Sequence, residues 1–373
     1  MKKIEIINLR ELHKPIENEL NQAMSLVLSH QNFINGPEVG LFESQLGNYL
    51  GAKVIGVGNG TDALEISLLA LGIGAGDEVI VPSFSYFASA EAIINVGATP
   101  IFVDIDNSFT LDVHDFKQKI SSKTKAVIVV HLFGMPANMN EIMKISSSHK
   151  IKVIEDNAQA IGAECKVNHE WKKTGTIGDI GCVSFFPSKN LGAFGDGGAI
   201  ISADVKLLAK AKMIAQHGQS KKYKHELIGR NSRLDTIQAA ILSVKLPYLD
   251  SWNQKRQEIA SFYKESINEM DFVECGEENE NSKSVYHQFT ILVQEKRDRI
   301  MAKLLELEIP ARLYYPGLIH QQAALSYLSV ENLAQTQDIH SRMVSLPIHP
   351  TLTKNQLNYI IKGLKDAVYS EMN

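Results

Sequence analysis

One lysine is set apart from the rest. In FFPSKNLGAFGDGG (185–198), Lys189 stands between an apolar, aromatic run and a run of glycines. Most lysines lie on helix faces with the ammonium in water. An amine held in a partly desolvated setting is a usable nucleophile towards a carbonyl carbon. Three other segments carry groups that would serve such a reaction. In GVGNGTDAL (56–64) glycines precede a helix predicted to open at Thr61 or Asp62, and a helix amino terminus offers free N–H groups and a positive dipole end to phosphate. Gly56, Gly58 and Gly60 equally suit a tight turn, and Thr61 stands where the last glycine of a dinucleotide Gly-x-Gly-x-x-Gly motif belongs. VIEDNAQA (153–160) ends an apolar run in Glu155-Asp156, with Gln159 three positions further on. Asp156 either caps a helix or faces a cleft, where a carboxylate keeps a proton on a heterocyclic nitrogen. GRNSRLDTIQAAIL (229–242) places Asn231 and Arg233 ahead of a helix that Asp235 is expected to cap.

These groups need a frame that brings them together. Apolar runs without alternation predict strands at 54–58, 78–82, 100–104, 126–133, 152–156, 182–186 and 199–202, with helices near 61–71, 85–96 and 138–148. Strands apolar on both faces belong to a largely parallel sheet covered by helices. Ligands of such sheets collect beyond the carboxyl ends of the strands, where all four segments fall. PSFSYFASAEAI (82–93) follows another strand and supplies Phe84, Tyr86 and Phe87, as ring-stacking or as core residues. After residue 245 the texture changes to long amphipathic segments (250–268, 296–308, 353–367) around one strand-like stretch, HQFTILV (287–293). We therefore expect a large domain over 1–245 and a smaller α+β domain over 246–373.

Composition narrows the function. Hydrophobic residues at 44%, charged residues at 21% and a net charge of −4 describe an ordinary globular protein without the electrostatic footprint of a nucleic-acid or membrane binder. Cys165, Cys182 and Cys275 lack metal-ligand spacing and fit a reduced, cytoplasmic protein, Cys182 as a small buried hydrophobe; no metal is expected. The start MKKIEIINLRELHKP has no apolar core of signal-peptide length.

Phosphate cradle, buried aspartate and isolated lysine are the three attachments that pyridoxal 5′-phosphate requires, for its phosphate, its ring nitrogen and its aldehyde. With FINGPEV, NGTDAL, GDEVIVPSFSYFASA, VIEDNAQA, SFFPSKNLGAFGDGG and GRNSRLDTIQAAIL in line, the sequence resembles the pyridoxal-phosphate-dependent nucleotide-sugar aminotransferases of the DegT/StrS type, nearly end to end. The resemblance implies the aspartate aminotransferase-like fold (fold type I): a large domain with a mixed, mostly parallel sheet flanked by helices, plus a smaller domain. It implies Lys189 as Schiff-base lysine and general acid/base, Asp156 on the pyridinium nitrogen, Gln159 on the phenolic oxygen and Tyr86 stacked on the ring. Gly60, Thr61, Asp62 and Ser184 would hold the phosphate. Asn231 would reach the cofactor phosphate of a neighbouring subunit, making a homodimer with shared sites.

The implied reaction moves the amino group of L-glutamate to a keto sugar nucleotide, at C-3 of a UDP- or dTDP-linked sugar, with a 4-keto sugar as the alternative. Arg233, Tyr314, Tyr315 and His320 would meet the substrate. Relatives acting on uronic acids tend to read His-Tyr-Pro where this chain has Tyr314-Tyr315-Pro316, which points away from a hexuronate. Some members replace the lysine by histidine and become dehydratases; this chain keeps it. Two other readings compete. A nicotinamide-dependent oxidoreductase fails on the glycine spacing, and a non-enzymatic sensor of the same ligands leaves the full set of catalytic positions without a use.

Overall fold

Strands of nearly continuous Val and Ile must be covered on both faces, and the chain builds them into a seven-stranded sheet between helices. The computed structural model describes residues 3–372. Five strands come first: β1 (Lys53–Val57), β2 (Glu78–Pro82), β3 (Thr99–Val103), β4 (Thr124–Val130) and β5 (Lys152–Asp156). A hairpin of β6 (Glu164–Val167) and β7 (Glu170–Lys173) follows, and then β8 (Ile180–Ser184) and β9 (Gly198–Ser202) complete the sheet. Its order is β1-β9-β8-β5-β4-β2-β3. The pairs from β8 to β3 are parallel, while β9 runs antiparallel to both β1 and β8. This is the mixed, mostly parallel sheet expected from the sequence. Side chains alternate across it: Ala126, Ile128 and Val130 of β4 join one apolar core with Leu64 and Ile66, whereas Val127 and Val129 join another with Phe116 and Ile142.

Parallel pairing brings the carboxyl ends of β2, β4, β5 and β8 to one edge, and the chain turns sharply there. The predicted strand 182–186 runs from Ile180 to Ser184; Phe185 N–H still donates to Gly197 O at 2.7 Å in the β8–β9 register, but its carbonyl turns to Ala193 N–H at 2.7 Å, and the pairing ends there. The predicted strand 126–133 stops at Val130: its last ladder bond runs from His131 N–H to Asp156 O at 3.1 Å, and the chain then turns through Leu132–Gly134. Gly36-Pro37 reads as a loop in sequence, yet Pro37 begins the helix Pro37–Leu50, which buries Phe42 and Leu46 completely. Proline suits a first helical position because its missing N–H would be unpaired there anyway.

Beyond a short hairpin of β10 (Gln219–Lys221) and β11 (Lys224–His225), the helix Thr236–Lys245 leads into the second unit. There the helices Leu249–Ile267, Arg297–Glu306 and Lys354–Met372 pack on an antiparallel sheet. Its strands are β12 (Val273–Cys275), β14 (Phe289–Val293) and β15 (Met343–Leu346), in the order β12-β14-β15; β13 (Ser282–Lys283) pairs instead with β6. Packing crosses the expected boundary both ways. Ile4 lies in the core of this second unit, and Leu318, Ile319, Leu325 and Leu333 lie in the core of the first.

Candidate active site

The helix Gly60–Leu71 starts one residue earlier than predicted, because Asn59 caps it: extended at φ −168°, it accepts the Asp62 N–H on Oδ1 at 2.7 Å. The Gly60 and Thr61 N–H groups have no partner among the described residues. Glycine at position 60 is dictated by space, since a Cβ there would lie 2.8 Å from Ser184 Cβ. The helix start and the end of β8 thus close on each other as one cup. Asp62 brings a negative charge beside it, and Arg230 sits 3.2 Å from Asp62 Oδ1 while also pairing with Glu65.

Glu155 and Asp156 are consecutive in β5, so the pleat sends them to opposite faces. Glu155 is fully enclosed and saturated. It accepts from His131 Nε2 at 2.9 Å, Gly175 N at 2.8 Å, Ile177 N at 2.6 Å and Gly178 N at 2.7 Å. Asp156 accepts from Ser89 Oγ at 2.9 Å and Ala158 N at 3.2 Å, with capacity left towards a cavity that it lines. Burial holds its carboxyl above the usual range, against the pull of those two donors, Lys189 and His131. A buried carboxylate in that position is stabilised by a cation opposite it. No helix follows, so capping is not its task.

The cavity has a volume of about 580 Å³, and Lys189 lines it with Gly60, Thr61, Asp62, Tyr86, Asp156, Gln159, Ser184, Tyr314 and Tyr315. Lys189 is half-buried; burial brings its amine down to about 8, while Asp156 pulls it upward. Its loop is braced. Lys189 N–H donates to Phe186 O at 2.8 Å, Ala193 N–H to Phe185 O at 2.7 Å, and the buried Lys245 amine to Gly192 O. Gln159 accepts Phe133 N–H at 2.7 Å and donates to Tyr315 Oη at 2.8 Å, which locks the amide's orientation. The Tyr86 and Tyr315 rings lie 5.6 Å apart at 53°. Of the three candidate aromatics, Tyr86 is exposed on the cavity, whereas Phe84 is 2% exposed and Phe87 packs against the core.

Three sequence-predicted residues fall outside the cavity lining. Asn231 is exposed and bridged to Gln216, and Arg233 is half-buried nearby. His320 bonds Ser83 Oγ through Nδ1 and packs against Phe102 at 6.2 Å. Asp235 precedes its helix as expected but makes no side-chain cap. Asn59, Ser89 and His287 were not singled out in sequence. Asn59 carries a signal, an Asn just ahead of an amphipathic run; the other two become visible only when distant segments meet.

The cup, the buried carboxylate and the low-pKa amine match pyridoxal 5′-phosphate in number and chemistry. Gly60, Thr61 and Ser184 would hold its phosphate, Asp156 its ring nitrogen and Lys189 its aldehyde. Such a site, on the carboxyl edge of this sheet, is that of an enzyme built to hold this cofactor. The chain belongs to the DegT/DnrJ/EryC1/StrS aminotransferase family, whose model matches residues 14–365. It is 42% identical to a dTDP-3-amino-3,6-dideoxy-alpha-D-galactopyranose transaminase of Aneurinibacillus thermoaerophilus, over 98% of this chain and 100% of that one. It is 40% identical to a UDP-N-acetyl-3-dehydro-alpha-D-glucosamine 3-aminotransferase of Acidithiobacillus ferrooxidans, over 98% of each. The crystal structure of a DegT DnrJ EryC1 StrS aminotransferase from Brucella abortus superposes with a TM-score of 0.93 at 38% identity, covering 98% of this chain and 99% of that one. NtdA from Bacillus subtilis, solved with bound cofactor PMP, gives 0.89 at 32% identity, covering 99% and 86%. Among the described residues, no helix is long and apolar enough to cross a membrane.

Proposed function

We propose that this enzyme transfers the amino group of L-glutamate to C-3 of a UDP- or dTDP-linked 3-keto hexose, supplying amino sugars for surface polysaccharide such as O-antigen or other glycoconjugates. The observation that carries the reading is the pairing, in one cavity, of the Lys189 amine with the buried Asp156 carboxylate. The two relatives above act, by name, at position 3 of dTDP- and UDP-linked sugars, which favours C-3 over C-4. Tyr314 in place of the histidine of uronate-type relatives favours a sugar without a C6 carboxylate. A cytoplasmic setting suits the three unpaired cysteines.

When bound, pyridoxal 5′-phosphate supplies a carbonyl carbon to carry nitrogen and a ring to accept the electrons freed at the donor's α-carbon. Asp156 holds the proton on the ring nitrogen, so that acceptance costs least when the charge develops. Lys189 Nζ, with its pKa near 8, takes the donor's α-proton and returns a proton in the second half of the cycle. Gly60, Thr61 and Ser184 fix the anionic end. Asn231 is exposed and Arg233 half-buried, a few positions after Leu227 and Ile228, which is 96% exposed. A second copy covering that apolar patch would bring Asn231 to the neighbouring phosphate cup and Arg233 to the substrate, giving a homodimer with shared sites.

The test is a two-stage turnover. Glutamate alone should change the visible spectrum and release 2-oxoglutarate. The aminated enzyme should then convert a UDP-2-acetamido-3-keto sugar or a dTDP-3-keto-6-deoxyhexose, leaving a 4-keto isomer and a 3-keto uronate nearly untouched. Faster turnover of the 4-keto isomer would overturn the regiochemistry, and absence of 2-oxoglutarate would overturn the donor.

A further inference from the structure

Lys245 is a buried amine that the reaction does not use. It is the last residue of the helix Thr236–Lys245, is 1% exposed and does not line the cavity. Its amine donates to Gly192 O and lies 5.2 Å from the centre of the Phe194 ring, and it forms no ion pair among the described residues. Burying an amine without a counter-ion costs stability, so its presence calls for a compensating role. Two turns earlier on the same helix face, Gln238 Oε1 accepts the Phe194 N–H at 2.8 Å. The two side chains thus grip residues 192 and 194, three and five positions beyond Lys189. That stretch lies between β8 and β9 and has no regular structure of its own. Gly192 folds back so closely that a Cβ there would lie 2.3 Å from Pro187 O. On the other side Asn190 bonds Asn253 Oδ1 at 2.9 Å and Val285 O at 3.2 Å.

We propose that Lys245, together with Gln238, is a positioning residue for Lys189: the helix holds the loop at Gly192 O and Phe194 N–H and so fixes where the Lys189 amine stands in the cavity. The inference rests on the reading of Lys189 as the reacting amine. That amine must reach the same carbon twice in each cycle, and misplacement by an ångström costs rate steeply. The bonds within the loop, Lys189 N–H to Phe186 O and Ala193 N–H to Phe185 O, make it one unit. The grips from the helix, opposed by Asn190, set where that unit lies. Phe194 packs against His13 at 5.1 Å, and burial together with Lys245 brings His13 down to about 4, so that ring adds no charge near pH 8. Lys245 and Gln238 act through the loop and touch no reactant.

A positioning role and a purely structural one differ in the sign of the stability change. Lys245→Met keeps the length and the apolar packing and lacks the donor. Its Tm at pH 8 should hold or rise, because a buried amine without a counter-ion is gone. Its kcat should fall about 10-fold with KM for glutamate within about twofold of the wild type. The pH midpoint for loading the apoprotein with pyridoxal 5′-phosphate should move up from about 8 by about half a unit or more, as the loosened loop lets water reach Lys189. The titratable side chains that line the cavity with Lys189, Asp156 and His287 among them, are unaltered in this variant. Gln238→Met should repeat the loss of rate and the shift in midpoint, and Gln238→Glu, which keeps an acceptor for the Phe194 N–H, should recover most of both. An unchanged kcat or midpoint in Lys245→Met, a Tm that falls with the rate, or equal losses in the two Gln238 variants would overturn the proposal. If borohydride reduction of the loaded wild type leaves no label at Lys189, the underlying reading fails instead.

Discussion

Ser89 donates its hydroxyl hydrogen to Asp156 Oδ2 at 2.9 Å, tying the helix Ala88–Asn95 to the end of β5. Both residues are buried. The bond favours the ionised carboxylate, against burial, which favours the neutral acid. Ser89→Ala should therefore raise the Asp156 pKa further and weaken its hold on a protonated ring nitrogen. A hydrogen bond to a charged group contributes about 1.5–3 kcal/mol, so we expect kcat to fall about 10- to 100-fold. Ser89→Thr, which keeps the hydroxyl, should restore most of the rate. Steady-state kinetics of the two variants decide it; an unchanged kcat in Ser89→Ala would show that this bond does not tune Asp156.

If Lys189 is the attaching amine, as proposed, its neutral form is the nucleophile and it should set the pH dependence of cofactor loading. Burial lowers its pKa from the ordinary 10.5 to about 8. Below pH 8 the amine is protonated and loading of the apoprotein should slow about tenfold per unit of pH; above it the rate should level off. Stopped-flow absorbance of apoprotein mixed with pyridoxal 5′-phosphate reports this directly. A midpoint near 10 would mean that the amine is solvated.

The close approach of Gly60 to Ser184 makes a separate prediction about the phosphate. A Cβ at 60 would lie 2.8 Å from Ser184 Cβ and 3.3 Å from its Oγ, forcing the cup open. Overpacking of this kind costs about 1–3 kcal/mol. Gly60→Ala should thus weaken pyridoxal 5′-phosphate binding by roughly 5- to 150-fold and leave the binding of phosphate-free pyridoxal near that of the wild type. Equal losses for both ligands would place the phosphate elsewhere.

Shared sites are tested by mixing inactive chains. A hybrid of Lys189→Ala and Asn231→Ala chains has one site carrying both defects and one carrying neither. Random re-association should then restore about a quarter of wild-type activity. Activity that stays at the level of the unmixed variants would mean that both residues serve the same chain's site.

How much of this was legible in the sequence follows from distance along the chain. Lys189, Asp156, Gln159 and the Gly60–Asp62 turn lie directly after strands whose apolar runs announce them, and all of them line the cavity. The seven strands of the large sheet and β14 of the second unit were found, with ends displaced by up to about three residues, because the pattern marks burial while backbone bonds such as Ala193 N–H to Phe185 O decide where a strand stops. The short strands β6, β7, β10, β11 and β13 were not anticipated, being exposed or half-buried over much of their length and without an apolar signature, and neither were β12 and the fully buried, four-residue β15. Glu155 and Asp156 could not be ranked by type alone. Four donors from His131 and the Gly175–Gly178 loop, 20 or more residues away, saturate Glu155, whereas Asp156 takes only Ser89 Oγ and Ala158 N–H and keeps capacity towards the cavity. The Asn190–His287 pair spans 97 positions and has no local signal at all.

The central claim is that the Lys189 amine carries the cofactor. Borohydride reduction of the holoenzyme, followed by digestion and peptide mass mapping, tests it most directly. A pyridoxyl label on the peptide containing SKNLGAFGDGG, at position 189, is the result predicted here. A label on any other side chain, or no label at all, would contradict it.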